Sequence, residues 1–122
     1  RSSLYGVWGF GNNDVYIVGS HGTILHFDGN EEGEWVSMES GTEEYLLGVW
    51  GSSPSNIFAV GDNATVLHYD GNKWCSMDPK TDKYLTKVRG LGQNCVYAVG
   101  DDGLVIRFDG EKWNDMSLGE GA

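Results

Sequence analysis

At 122 residues the chain has the length of one small domain, a size at which roughly two-thirds of the unfolded surface is buried on folding. A net charge of -10, from 18 acids against 8 Lys plus Arg, excludes the basic stripe that a phosphate backbone needs, so no nucleic-acid partner is expected. No apolar run approaches the ~20 residues of a membrane span, no charged-then-apolar leader is read at Arg1, and two cysteines are too few for a disulfide scaffold or a zinc site.

The first predicted strand is Leu4-Tyr5-Gly6-Val7-Trp8-Gly9, which returns as Leu46-Leu47-Gly48-Val49-Trp50-Gly51 and, altered, as Leu85-Thr86-Lys87-Val88-Arg89-Gly90. A turn follows each. In the second unit it is Ser52-Ser53-Pro54-Ser55-Asn56, where Pro presets φ and Asn tolerates left-handed backbone. Second strands are predicted over residues 15–18, 56–60 and 96–99, each running into Val-Gly at Val18-Gly19, Val60-Gly61 and Val99-Gly100. The turns Ser20-His21-Gly22, Asp62-Asn63-Ala64 and Asp101-Asp102-Gly103 lead to third strands over 23–27, 65–69 and 104–108. Asp28-Gly29, Asp70-Gly71 and Asp109-Gly110 then read as hairpin turns that need positive φ. A short fourth strand runs from Trp35, Trp74 or Trp113 to the methionine three residues on.

The three tryptophans are 39 residues apart, and the one break in register is an acidic insertion in Asn30-Glu31-Glu32-Gly33-Glu34. No segment carries apolar residues at helical spacing, so the chain reads as all-β. Four-stranded units of ~40–45 residues are the period of a β-propeller blade. The expectation is therefore three four-stranded antiparallel repeats, a half or partial propeller, with blades at about 4–42, 46–81 and 85–118.

The pattern Leu47-Gly48-Val49-Trp50-Gly51-Ser52-Ser53, then Ile57-Phe58-Ala59-Val60-Gly61, then Thr65-Val66-Leu67-His68-Tyr69-Asp70-Gly71-Asn72-Lys73-Trp74 resembles a bacterial β-propeller repeat. It is also similar to the Asp-box repeat of sialidases and of photosystem II assembly factors of the Ycf48 type. The resemblance covers all three units and implies a propeller fold and a secreted or cell-envelope location. The turn differs from an Asp-box turn in having Asp and Gly adjacent, with His26, His68 or Arg107 where Ser or Thr is usual.

Propellers have four to eight blades, and closing the ring removes the sheet edges. Three blades form an open arc. Two completions are expected: a homodimer making a six-bladed ring head to tail, or further blades of a longer chain.

In a propeller the loops joining second to third strands, and one blade to the next, share the face where ligands usually bind. That face would carry Ser20, His21, Asp62, Asn63, Asp101 and Asp102, with Tyr45 and Tyr84 near the blade starts. These residues read as turn formers; the sharper alternative is a site for Ca²⁺ or sugar hydroxyls. Trp8 and Trp50 share an inner-strand position and read as packing between sheets, with a sugar-stacking platform as the alternative. Arg89 replaces them in the third unit and must reach water or a carboxylate. His26 and His68 read as structural, each bonded to a nearby backbone carbonyl. Cys75 and Cys95 read as free thiols or, less simply, one inter-blade bridge.

No carboxylate stands apart from its repeat equivalents as a catalytic pair would. Three arginines (Arg1, Arg89 and Arg107) are too few for a sialidase-like cluster. The sequence thus points to a non-enzymatic binding or structural module for a protein or glycan ligand, with no metal or cofactor. The alternative is a fragment of a glycan-processing propeller enzyme.

Overall fold

The computed structural model describes residues 3–29 and 31–117. Arg1, Asn30 of the insertion and Leu118 at the expected end of the third blade lie outside them. The described residues form three four-stranded antiparallel sheets and no α-helix. The first sheet holds β1 (Leu4–Gly11), β2 (Asp14–Gly19), β3 (Ile24–Phe27) and β4 (Val36–Ser37) in sequence order. The second holds β5 (Leu46–Ser53), β6 (Asn56–Gly61), β7 (Thr65–Tyr69) and β8 (Trp74–Ser76). The third holds β9 (Leu85–Gly92), β10 (Cys95–Gly100), β11 (Val105–Phe108) and β12 (Trp113–Asp115). First strands are two residues longer than the sequence suggests, because Gly51 still pairs with Ile57 and, past a bulge, Ser53 with Asn56.

The Asp-Gly hairpins are as expected. Gly29, Gly71 and Gly110 sit at φ 84°, 97° and 104°, and Asp70 and Asp109 each accept two backbone N–H groups across the turn. Those bonds hold both carboxyls below the usual carboxylate range.

Strand alternation gives each sheet two apolar faces, and the repeat uses them in the same way each time. One face carries Leu46, Val49, Ile57, Ala59, Leu67 and Trp74 in the second sheet; it packs on Tyr16, Val18 and Ile24 of the first. Its equivalents in the third sheet are Leu85, Val88, Val96, Ala98, Ile106 and Trp113, packed on Trp50, Phe58, Val60 and Val66 of the second. The core is thus two inter-sheet layers. We call the face toward the preceding sheet leading and the other trailing. Gly6 and Gly48 let the first strands lie side by side, since a Cβ on either would press on the neighbouring backbone at Leu47 or Lys87.

The leading face of the first sheet has no sheet before it among the described residues. Trp35 is accordingly 40% exposed, against 7% for Trp74 and 0% for Trp113 at the same repeat position. The sheets do not close into a ring.

Candidate functional site

The Val-Gly dipeptides create the upper face. Each second strand ends in a single 3-10 turn: Ser20–Gly22, Asp62–Ala64 and Asp101–Gly103. The backbone N–H of Ser20, Asp62 and Asp101 donates to the carbonyl of Ser3, Tyr45 and Tyr84, at 2.8, 3.0 and 3.1 Å. Those carbonyls lie so close that any Cβ on Gly19, Gly61 or Gly100 would collide with them. The approach ties every turn to the segment that enters the same sheet's first strand.

At the tip of each turn two successive residues are left-handed, the first of them His21 at φ 55°, Asn63 at 56° and Asp102 at 58°, the second Gly22, Ala64 and Gly103. Asn and Asp tolerate this region because their short side chains bond locally. The first residue of each pair is exposed. Around them the structure gathers Tyr45, stacked on Tyr5 at 6.0 Å and met edge-on by His21 at 5.1 Å. Tyr5 was not expected here, since its repeat equivalents are Leu47 and Thr86; its departure from the repeat was the available signal. Tyr84 is 45% exposed at the third unit's equivalent of Tyr45.

The turn acids converge. Burial, then the charges of Glu44 and Asp101, push the Asp62 carboxyl above its ordinary value. Two adjoining clefts open beside this cluster and share Ser40, Gly41 and Thr42. One, of about 430 Å³, runs from His21 to Glu43; the other, of about 360 Å³, reaches Trp74 and Met77 of the second sheet. Among the described residues no three His, Cys, Asp or Glu side chains are placed to hold a metal ion together.

Other residues singled out from the sequence lie elsewhere. Trp50 is 6% exposed, with its ring against Gly90, and is occupied in packing rather than available as a stacking platform. Trp8 is half-buried beside it, the rings 6.0 Å apart. Arg89 is exposed, as a cation at that position needs, but its partners are the Val88 carbonyl at 2.8 Å and the face of Trp8 at 5.9 Å. No carboxylate is needed because a ring face and a carbonyl both attract the guanidinium. Cys75 and Cys95 are free thiols.

His26 and His68 are structural, but through side-chain acceptors rather than backbone carbonyls. Each Nε2 meets the residue twelve positions earlier: Asp14 Oδ1 at 2.7 Å and Asn56 Oδ1 at 2.6 Å. These pairs pin the second strand to the third in the first two sheets; the third sheet has Cys95 and Arg107 at the same positions, and the thiol helps hold the guanidinium's pKa above normal. Burial lowers the His68 pKa, opposed by Asp70. A lowered histidine binds fewer protons folded than unfolded, so its stabilising share is present above about pH 6.5 and lost as pH falls below it. Urea midpoints should therefore drop between pH 7 and pH 5.5, and His68→Gln, which can still donate to Asn56, should flatten that part of the profile. An unchanged slope in the variant would assign the effect elsewhere.

Together, the repeated sheets and inter-sheet cores make the chain a β-propeller repeat protein. Solved structures agree. "YCF48 bound to D1 peptide" superposes with a TM-score of 0.74 at 18% identity, over 93% of this chain and 40% of that one. "YCF48 from Cyanidioschyzon merolae" gives 0.73 at 22%, over 94% and 37%. At that identity the likeness is one of fold. The chain spans about two-fifths of the length of those proteins. No family model and no curated protein matches the sequence. No helix of the described residues is long and apolar enough to cross a membrane.

Proposed function

We propose that the chain is a non-enzymatic propeller module that binds a segment of another protein on its upper face, with its arc completed by further blades. It acts as one unit, with blades near 4–42, 46–81 and 85–118, in a secreted or envelope setting. The observation that carries the binding assignment is the exposed Tyr5, Tyr45 and His21 cluster, set against a cleft lined by Glu39 and Glu43 on a face built from turns. Exposed tyrosines offer a large contact area at low entropic cost, and Glu43, Glu44, Asp62 and Asp101 favour a ligand with basic side chains. The peptide-bound neighbour is an example of a propeller fold holding a peptide.

A peptide array of basic and aromatic-containing decapeptides, run beside a glycan array, tests the reading. Basic peptides should bind, and Tyr45→Ala should weaken them at least tenfold while leaving the melting temperature within about 2 °C, since Tyr45 is 36% exposed. Binding of glycans with no peptide signal would replace the assignment with a lectin. Hydrolysis of a glycan would replace it with the enzyme alternative.

A further inference from the structure

The leading face of the first sheet has the composition of a buried face but nothing packed on it among the described residues. Its side chains Leu4, Val7, Val15, Ile17, Leu25 and Trp35 occupy the repeat positions buried against a trailing face in both other sheets. Here Leu4 and Val7 are 51% and 62% exposed. Gly9 marks the centre of the socket. A Cβ on Gly51 would strike the ring of Phe10, and one on Gly90 would collide with Trp50, both side chains from the preceding trailing face. A Cβ on Gly9 would meet only its own sheet, at 3.5 Å or more. The notch that receives an aromatic ring, Phe10 or Trp50, in two sheets is open in the first.

The trailing face of the third sheet is the plug. Leu91 stands at the repeat position of Phe10 and is 85% exposed; Val99 is 38% exposed, and Tyr97 and Val105 are half-buried beside them. At the first of those contacts the plug is Phe10, whose repeat equivalent in the third sheet is Leu91; seated as Phe10 is on Gly51, Leu91 would lie over Gly9. Charge agrees. The first unit, residues 4–42, holds six acids and no Lys or Arg, whereas the third puts Arg107 on its trailing face, where the other sheets carry His. In the second sheet His68 lies beside Asn94 and Gly110 of the next sheet. Arg107 would correspondingly lie beside Asn13 and Gly29, next to Asp28.

We propose that the occupant is a second copy of this chain, joined head to tail, with the third sheet of each copy seated on the first sheet of the other. This names the further blades of the reading above. Two such contacts give six blades, within the usual range of four to eight, and a heterologous contact closes a ring when its rotation allows.

Sedimentation equilibrium of the full chain at about 50 µM should give twice the chain mass of 13.4 kDa. Leu91→Asp and Gly9→Leu should each shift it to monomer at unchanged far-UV CD, Leu91 being solvent-exposed within the chain and Gly9 open. Mixing the two variants should restore a dimer, since one intact socket then meets one intact plug. A monomeric wild type overturns the proposal. So does a Leu91→Asp variant that stays dimeric, which would mean that first sheets pair with each other. Peptide binding measured on the Leu91→Asp monomer keeps failure here separate from failure of the upper-face assignment.

Discussion

Trp113→Ala should cost about 3–5 kcal/mol, the usual range for emptying a buried tryptophan site. The ring is 0% exposed and lies edge-to-face on Phe58 of the second sheet at 5.8 Å, with Phe108 of its own sheet at 5.4 Å. Its removal would open a cavity in the layer joining the second and third sheets, so an unfolding midpoint lower by more than 10 °C is expected. Among the described residues nothing accepts from the indole N–H, so Trp113→Phe removes no bond seen there and should cost much less. Trp35→Ala at the same repeat position should cost about 1 kcal/mol in a monomer, because that ring is already 40% exposed. The ordering of Trp113 and Trp74 above Trp35 in chemical denaturation is the check. Equal costs at all three positions would mean that the tryptophans stabilise their own sheets and not the layers between them. Dilution separates the two roles of Trp35: in the associated state its truncation should also weaken self-association.

Most of the fold was legible because repetition averages out local ambiguity. A strand such as Ile57-Phe58-Ala59-Val60 has no polar alternation of its own, since both its faces are buried. Its reading as a strand came from Val15 to Val18 and Val96 to Val99 at matching positions. Strand ends were less legible, because pairing beyond Gly51 to Ser53 depends on a bulge set by the partner strand. The acceptor for His26 and His68 was also hidden. Residues twelve apart in sequence meet only through the register of two antiparallel strands, although the triad of Asp14, Asn56 and Cys95 varies at that same spacing. The upper face was predicted as a set of loops, and the turns do place His21, Asn63 and Asp102 at three tips. Tyr5 was missed because it lies on a strand, and a strand residue reaches a loop surface only once stacking on Tyr45 is seen.

The exposed faces carry a similar lesson about deviations. Where three copies of a unit agree, the shared residue serves packing or turn geometry. Where one departs, its surroundings differ. Arg107 replaces His on the trailing face that no other sheet in the described residues covers. A cation there is compatible with water or with an acidic partner, and the first unit is the acidic part of the chain.

Gly61→Ala should be as damaging as the loss of a core side chain, although it adds one methyl group. Gly61 is in extended backbone, with φ near -174°, so conformation alone would accept alanine. The obstacle is contact. The new Cβ would overlap the carbonyl of Tyr45 and press on the Leu46 Cα at 2.9 Å, and both are backbone. Relief requires the turn to lift from the strand entrance, which stretches the bond from Asp62 N–H to the Tyr45 carbonyl. Overpacking a rigid site costs about 1–3 kcal/mol, and a lost buried backbone bond adds about 1 more. Thermal unfolding should show a loss of several kcal/mol and, in peptide-binding assays, a weaker upper face, because Tyr45 and Asp62 would move apart. Gly92→Ala is the control. Nothing lies within 4 Å of the Cβ position there and its φ is not positive, so stability should hold or rise by about 0.4–1 kcal/mol through reduced freedom of the unfolded chain. If Gly61→Ala matched that control, the Val-Gly repeat would owe its glycine to something other than the approach of the same sheet's first strand.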